Sequence, residues 1–208
     1  MGIHTYFRSL NELERIYRCP GKFKFEEHSV AEHSWKVVQY AKTLADIEER
    51  HGAQIDWKKL YEITSSHDYG EIFIGDIKTP VKHSSEELRN LILQVEEGMV
   101  HHFIEEHIPE EFKDIFRNQL REGKDDSVEG LILEVADKLD QVYEACRNAK
   151  REYGKRVRQN VPRSFDENQK HQAEMRRLFL KRNFNRHGER GGMSPIDIKR
   201  ITKEALES

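Results

Sequence analysis

The chain has 208 residues, of which 36% are hydrophobic and 35% are charged, with only 5 prolines and 12 glycines. This balance predicts one helix-rich domain over residues 1–208, long enough to bury a core without disulfides. The formal net charge of −3 gives no case for nucleic-acid binding, and no apolar run approaches the roughly 18 residues of a membrane span.

Two further features concern the cellular compartment. The start of the chain lacks the apolar core of a signal peptide. The cysteines, Cys19 and Cys146, show no metal-binding spacing, which favours two reduced thiols. We therefore expect a cytoplasmic protein whose partners include neither nucleic acid nor a membrane.

The first predicted element is a short amphipathic helix over residues 6–17, which stops before Pro20. Arg18 follows this helix in a basic turn. It is either a solvated surface charge or a guanidinium that binds phosphate oxygens through two parallel hydrogen bonds.

The second predicted helix runs from Ser29 to about Arg50. Ser29 and Glu32 have the spacing of a capping box, so the start of this helix is well specified. His33 lies just inside it and continues the apolar face of the helix, which comprises Val37, Ala41, Leu44 and Ala45. A lone histidine in this position is most often a hydrogen-bonded core residue.

A second inward histidine changes that interpretation. His67 is predicted to share the apolar face of a third helix, from about Trp57 to Tyr69, and Asp68 follows it directly. An imidazole and a carboxylate together suit Mn, Fe(II), Co, Ni or Zn. Because two ligands hold a metal poorly, His33 and Asp137 are the candidates that complete the site.

The segment after Gly70, a plausible helix stop, is predicted to form a short helical turn and a loop. It contains Glu71, Asp76 and Lys82, with Thr79 held extended by the following proline. This composition suits either a reaction centre or an ordinary polar loop.

Further helices are predicted over residues 84–106, from Pro109, and from Val128 onwards. Asp137 lies at the edge of the apolar face of the last of these, where it binds a cation or pairs with Lys138 or Lys150. Three other histidines follow an exposed pattern that argues against a second metal site: His101, His102 and His107. Beyond them we expect a helix over residues 165–183 and an extension over residues 184–208 that begins its own short helix near residue 194.

The order His33, His67-Asp68, Asp137 resembles the H…HD…D signature of the HD-domain metal-dependent phosphohydrolases. Within that superfamily the chain resembles the bacterial YfbR-like 5'-deoxynucleotidases and their eukaryotic relatives. The resemblance also covers Arg18, residues 29–34, residues 67–71 and the G-D-x-x-T-P-V-K motif at residues 75–82.

This resemblance implies an all-α HD-domain helical bundle that hydrolyses deoxynucleoside 5'-monophosphates. It further implies a homodimer and one divalent metal ion, which we expect to be Co, Mn, Zn, Fe, Ni or Cu. The implied metal ligands are two histidines and two aspartates: His33, His67, Asp68 and Asp137. The implied substrate-binding residues lie in the first turn and in the loop: Arg18, Cys19, Asp76, Thr79 and Lys82.

Two acids have implied catalytic roles. Glu71 orients or deprotonates the attacking water, and Asp76 contacts the deoxyribose or assists proton transfer. The metal polarises a phosphoryl oxygen and lowers the pKa of water, while Arg18 and Lys82 offset charge on phosphorus. Cys19 departs from the family pattern, which has Trp beside the arginine, and the departure affects sugar and base discrimination.

Two alternatives stay open at this point. One is another HD-type nucleotide phosphohydrolase, such as a pyrophosphohydrolase, a phosphodiesterase or an alarmone hydrolase. Alarmone hydrolases carry HDxxED, whereas Ile72 follows Glu71 here. The other is a nucleotide-binding regulator with a vestigial site, against which the presence of all four ligands argues.

Overall fold

The structure is a computed structural model that describes residues 2–20, 27–82, 84–120 and 125–158. For residues 79, 80, 142 and 145–158 it describes the backbone alone. The predictions for residues 159–208 and for the Cys146 thiol lie outside this description.

The described residues form eight α-helices, one 3-10 turn and no β-strand, which confirms the prediction of an all-α fold. The helices are α1 (Ile3–Leu13), α2 (Val30–Arg50), α3 (Trp57–Ser66), α4 (Glu71–Ile74), α5 (Thr79–Lys82), α6 (Glu86–His107), α7 (Lys113–Gln119) and α8 (Val128–Arg158), with the 3-10 turn at Glu110–Phe112. None of the helices in the described ranges is long and apolar enough to cross a membrane.

Helix α1 differs from the prediction because it ends at Leu13 and not at Tyr17. Tyr17 instead forms an isolated antiparallel bridge with Ser29. The flanking amide of Arg18 donates to the carbonyl of His28 over 2.9 Å. These long-range hydrogen bonds replace those of a continued helix, and they place Arg18 beside the start of α2.

The predicted capping box of α2 is present. The Ser29 hydroxyl accepts from the Glu32 amide over 3.2 Å, and the Glu32 carboxylate accepts from the Ser29 amide over 2.9 Å. Such a cap stabilises a helix start by about 1 kcal/mol. It therefore fixes where α2 begins, and with it the position of His33, the residue that follows Glu32.

The main core lies between α2, α3 and α8. Its buried side chains come from all three helices: Val37, Ala41, Leu44, Ala45, Leu60, Ile63, Leu131, Ile132, Leu133, Val135, Ala136 and Leu139. This packing sets the N-terminal part of α2 against the middle of α8. As a result, residues distant in sequence meet at the edge of this core.

A second apolar cluster surrounds Tyr69, which is 2% exposed. Its other buried members belong to α6, α7 and the segments that follow them: Val100, Phe103, Ile104, Ile108, Phe116 and Leu120. The Tyr69 hydroxyl lies 2.7 Å from the hydroxyl of Ser9 on α1. The residue after Asp68 is thus anchored, so the turn between α3 and α4 has a fixed position.

The segment between α3 and α6 differs from the prediction in two details. Helix α3 ends at Ser66, so His67 and Asp68 occupy the turn that follows. Thr79 begins α5 and is not extended, because the following proline lacks only an amide hydrogen that the first turn of a helix leaves unused. Gly75, with φ of 73°, adopts the left-handed conformation that ends α4.

Candidate metal centre and active site

Four side chains from three segments converge at the edge of the main core. The Nε2 atom of His33 lies 3.2 Å from His67 Nε2, 3.4 Å from Asp68 Oδ2 and 3.4 Å from Asp137 Oδ1. His67 Nε2 is in turn 3.3 Å from Asp68 Oδ2. We call these four residues the ligand cluster, and they are the four that the sequence predicts as metal ligands.

The spacing of the His33, His67 and Asp68 donor atoms matches that of a metal site, and Asp137 Oδ1 lies at a similar distance from His33. With metal–ligand distances of about 2.0–2.2 Å, donor atoms at neighbouring positions around one ion lie about 3.0–3.5 Å apart. Two imidazole nitrogens and two carboxylate oxygens form a mixed donor set that suits divalent transition metals. The residues present therefore fit a divalent ion on both distance and donor type.

His67 is oriented by the backbone. Its Nδ1 atom lies 3.0 Å from the carbonyl oxygen of Thr64, one turn earlier. Since a carbonyl can only accept, Nδ1 carries the hydrogen and the neutral ring presents the lone pair of Nε2 to the cluster. This is the form of histidine that binds a metal.

Burial and charge act in opposite directions on the cluster. Burial alone would lower the pKa of His33, but hydrogen bonds with the Asp137 and Asp140 carboxylates raise it above its ordinary value. Burial would likewise raise the pKa of Asp68, but His67, His33 and Arg18 hold it far below its usual range. Asp68 is therefore ionised at neutral pH, as a metal ligand must be.

Arg18 lies against the ligand cluster and is only 8% exposed. Its Nη1 atom is 3.0 Å from Asp68 Oδ2, and its Nη2 atom is 3.7 Å from Asp137 Oδ1. Of the two interpretations that the sequence leaves open, a solvated surface charge is therefore wrong. The guanidinium belongs to the site.

Asp137 is 4% exposed and lies inside the fold, not at its rim. The predicted alternative, an ion pair with Lys138, exists at 3.9 Å but involves the other carboxylate oxygen, Oδ2. The Oδ1 atom faces His33 and Arg18.

Glu71, at the start of α4, lies next to the cluster. Among the described residues, its buried Oε2 atom has no hydrogen-bond partner. Burial raises the pKa of this carboxyl to about 9, with a further contribution from the Asp68 and Asp76 carboxylates. A buried carboxyl whose pKa is strongly raised beside other charged groups is a candidate for acid–base chemistry.

Asp76 is tied to the first turn of the chain. Its Oδ2 atom accepts a hydrogen bond from the Cys19 amide over 2.5 Å. Cys19 itself has a φ of 53°, a left-handed conformation that is uncommon for a residue other than glycine. The structure therefore brings Cys19 and Asp76 together next to Arg18.

A cleft that opens to solvent borders the cluster at His67, Asp68 and Glu71. Lys82 lines the same cleft and its ammonium is 3.4 Å from Glu96 Oε1. The predicted role of the Thr79 side chain lies outside the described residues.

Sequence reasoning missed two residues behind the cluster. Asp140 Oδ2 lies 2.7 Å from His33 Nδ1 and 3.2 Å from His28 Nε2, and both partners are buried. The signal that could have revealed Asp140 is its spacing of three from Asp137, which puts both on one face of α8. His28 gives no comparable signal.

The three histidines that the sequence places on an exposed face lie along α6, away from the ligand cluster. His101 and His102 are 65% and 71% exposed and pair with Glu105 and Glu106 along α6. His107 lies at the end of the same helix.

Comparison with known proteins extends this description. A family model described as YfbR-like 5'-deoxynucleotidase matches residues 5–183 of the chain. A 5'-deoxynucleotidase from Klebsiella pneumoniae is 29% identical over 140 residues, which are 67% of this chain and 70% of that protein. The 5'-deoxynucleotidase YfbR of Escherichia coli is 28% identical over 135 residues, which are 64% of this chain and 67% of that protein.

Two solved structures are similar to the whole fold. A crystal structure of an HD-domain phosphohydrolase from Listeria innocua is 37% identical, with a TM-score of 0.76, and the match covers 100% of this chain and 90% of that one. The HD phosphohydrolase DatZ of cyanophage S-2L, solved with dA and one catalytic Zn²⁺ ion, is 16% identical. Its TM-score is 0.56, and the match covers 96% of this chain and 93% of that one. At this identity the second likeness concerns the fold alone.

Proposed function

Because the chain belongs to the YfbR-like 5'-deoxynucleotidase family, we propose that its ligand cluster binds one divalent metal ion and hydrolyses nucleoside 5'-monophosphates to nucleoside and phosphate. The family prediction made from the sequence is confirmed, and with it the prediction of an HD-domain phosphohydrolase. The observation that carries the proposal is the convergence of His33, His67 and Asp68, whose donor atoms lie 3.2–3.4 Å apart, with Asp137 Oδ1 3.4 Å from His33 Nε2.

His33, His67, Asp68 and Asp137 hold the metal in this proposal. The donor set suits Co, Mn, Zn, Fe, Ni or Cu, and the Zn²⁺ ion in the structure of DatZ supports a transition metal. When bound, such an ion supplies Lewis-acid activation of a phosphoryl oxygen and of the attacking water.

Glu71 is the acid–base residue of the proposed reaction. Its buried Oε2 atom, which lacks a partner among the described residues, is positioned to hold or accept a proton beside the cluster. Burial and the neighbouring Asp68 and Asp76 carboxylates raise the pKa of Glu71, and the positive charge of a bound divalent ion would oppose this shift and favour the carboxylate. In that form Glu71 would accept the proton of the attacking water and orient that water.

Arg18 stabilises the transferred phosphoryl group. Asp68 and Asp137 hold its guanidinium beside the cluster, and this fixed positive charge offsets the negative charge on phosphorus. Lys82, in the adjoining cleft, adds a second positive charge at longer range. Two cations suit a monophosphate better than the larger charge of a triphosphate.

Asp76 acts on the sugar side of the site. The Cys19 amide fixes one carboxylate oxygen of Asp76. We assign this carboxylate the role of accepting a hydrogen bond from a deoxyribose hydroxyl. Cys19, which departs from the Trp of the family pattern that this chain resembles, and Thr79 are assigned to the same substrate. These five residues, Arg18, Cys19, Asp76, Thr79 and Lys82, form the substrate-binding set.

We also propose that the protein is a single HD domain over residues 1–208 that acts in the cytoplasm as a homodimer. The match of one family model to residues 5–183 supports the single domain, the resemblance to the family supports the homodimer, and the sequence features that bear on export and membrane spans, described above, support the cytoplasm. Analytical ultracentrifugation of the full chain measures the oligomeric state directly, and a monomer at micromolar concentration contradicts it.

The decisive experiment is a phosphate-release screen over deoxy- and ribonucleoside mono-, di- and triphosphates with each candidate metal. We expect release from monophosphates, abolished by a chelator and restored by adding the metal back. Pyrophosphate release from triphosphates would instead identify a pyrophosphohydrolase. Nucleotide binding without turnover in every metal would identify a regulator.

A further inference from the structure

A line of buried polar side chains lies behind His33, on the side away from the other ligands. His33, Asp140 and His28 are 0%, 1% and 1% exposed. Asp140 Oδ2 is 2.7 Å from His33 Nδ1 and 3.2 Å from His28 Nε2. These residues come from α2, α8 and the segment that precedes α2, so the line joins three parts of the fold.

Helix α8 contacts both nitrogens of the same imidazole. Asp137 Oδ1 lies 3.4 Å from His33 Nε2, while Asp140, three residues later, lies 2.7 Å from Nδ1. Residues three apart on a helix are surface neighbours, so the two carboxylates bracket one ring. The ring cannot rotate without breaking one of these contacts.

The contact also determines which nitrogen carries the hydrogen. A carboxylate can only accept, so in the neutral ring that a metal requires, Nδ1–H of His33 donates to Asp140 and Nε2 has the lone pair. Without this acceptor, a neutral His33 could carry its hydrogen on Nε2, pointed at the other ligands. His67 obtains the same orientation from the Thr64 carbonyl, whereas His33 depends on a side chain.

His28 holds Asp140 in turn. The Lys36 ammonium lies 3.2 Å from His28 Nδ1 and 3.4 Å from Nε2. An ammonium has hydrogens only to donate, so the nearer nitrogen, Nδ1, is the acceptor and Nε2–H donates to Asp140. Asp140 Oδ2 thus accepts one hydrogen bond from His33 Nδ1–H and one from His28 Nε2–H.

Stability alone gives no reason for this arrangement. Among the described residues, the buried Oδ1 atom of Asp140 has no hydrogen-bond partner. Burying an unpaired carboxylate oxygen costs free energy, and the adjacent positions of α8, such as Ala136 and Leu139, are apolar core residues. An aspartate here is better explained by its effect on His33.

We propose that Asp140, held in place by His28, is a positioning residue that orients His33 and selects the tautomer in which Nε2 can bind a metal. This rests on the proposed function only in requiring that the ligand cluster binds a divalent ion. Partners of this kind typically change metal affinity by 10- to 100-fold.

The test measures Co²⁺ binding to the full chain after removal of metal with a chelator. Affinity is read by competition with a chromophoric chelator, and ligand geometry by the visible absorption spectrum of bound Co²⁺. Asp140→Asn should raise the Kd for Co²⁺ by about 10- to 100-fold and alter the spectrum. Glu129→Gln is the matched control, because Glu129 is also a buried carboxylate of α8 but contacts the Asp56 amide.

A pair of substitutions at His28 extends the test. His28→Leu removes the donor to Asp140 and should weaken Co²⁺ binding, while His28→Gln keeps an N–H donor and should restore most of it. If Asp140→Asn fails to fold by circular dichroism, this pair decides the matter. Equal Co²⁺ affinity of the Leu and Gln variants would then overturn the proposal.

Other outcomes separate this inference from the proposed activity. A folded Asp140→Asn protein that binds Co²⁺ within about twofold of the parent overturns the positioning role, whatever its activity. If the parent binds Co²⁺ and Asp140→Asn binds it weakly, but no nucleotide is hydrolysed, the positioning role stands and the proposed function fails. A parent chain that binds no Co²⁺ overturns both.

Discussion

Two groups on this chain, each containing histidines and carboxylates, differ in burial and in the number of segments that contribute to them. The ligand cluster draws its members from α2, from the turn after α3 and from α8, and His33 and Asp137 are almost fully buried. The second group lies on α6 and α7 and is largely exposed: His101, His102, Glu105, Lys113 and Arg117. We call it the surface charge cluster.

The difference lies in where each carboxylate finds its partner. In the surface charge cluster, Glu105 is bound by Lys113 at 3.0 Å and Arg117 at 2.5 Å, so its charge is already neutralised. The histidines beside it make only pairs along one helix. In the ligand cluster, His33 Nε2 lies within 3.4 Å of donor atoms from the turn after α3 and from α8. Convergence of distant segments, and not local spacing, distinguishes a metal site from a polar surface.

The largest effect that tests this comparison is loss of the metal. Asp68→Ala should reduce bound metal from about one ion per chain to near zero and abolish hydrolysis, because it removes one of the two carboxylates of the ligand cluster and the partner that offsets the Arg18 charge beside the ion. The fold should persist, since Asp68 belongs to neither apolar cluster. Elemental analysis and circular dichroism measure the two results.

The control for this substitution comes from the other group. His102→Ala removes a potential ligand from the surface charge cluster and should leave metal content and turnover unchanged. Metal lost from the His102 variant, or retained by a folded Asp68 variant, would reverse the assignment of the two groups.

The next effect separates metal binding from catalysis. Glu71→Gln should keep the metal but lower kcat by about 10²-fold or more, because it removes a positioned acid–base group. Glu97→Gln, which changes another carboxyl of the same cleft, is the control. Near-native turnover of the Glu71 variant would shift the acid–base role to Asp76.

The substrate-binding residues beside the ligand cluster also predict a moderate preference for deoxyribonucleotides over ribonucleotides. We expect kcat/KM for dAMP to exceed that for AMP by about 10-fold, the lower end of the 10- to 100-fold cost of a crowded, unpaired hydroxyl. The short Cys19 side chain is the reason for the lower end, and Cys19→Trp should increase the ratio. Equal values for dAMP and AMP would contradict the role of Asp76, and faster turnover of dATP would contradict monophosphate hydrolysis.

Much of the ligand cluster could be predicted because local rules act on it. The capping box fixes the register of α2, and the helical period then places His33 on the same face as Val37 and Ala41. The adjacent His67 and Asp68, directly after α3, are recognisable as a pair of metal-binding residue types. Asp137 is recognisable because it is a carboxylate within an apolar run.

What the sequence does not reveal depends on contacts between distant segments. The contact between His33 and Asp140 joins residues 107 positions apart, and no local pattern shows that the two side chains meet. The end of α1 at Leu13 has the same origin, because the bridge between Tyr17 and Ser29 overrides the helical period. The prediction that Thr79 is extended is wrong for a local reason. Proline restricts the preceding residue, but it also fits the first turn of a helix.

The smallest predicted effect concerns the surface charge cluster itself. Hydrogen bonds from Arg117 and Lys113 lower the pKa of Glu105 to about 2. A carboxyl whose pKa is lower in the folded state stabilises the fold above its ordinary pKa near 4.5, and the contribution disappears as the pH falls from there to about 2. Glu105→Gln should therefore lower the urea midpoint slightly at pH near 7, and the deficit should shrink at acid pH.

Glu111→Gln, which removes the same charge from the adjacent 3-10 turn, should lower the midpoint less. Because the pairs are exposed, about 1 M salt should also erase the difference. A deficit that persists in high salt would show that Glu105 acts through packing, and that the surface charge cluster is less different from the buried one than its exposure indicates.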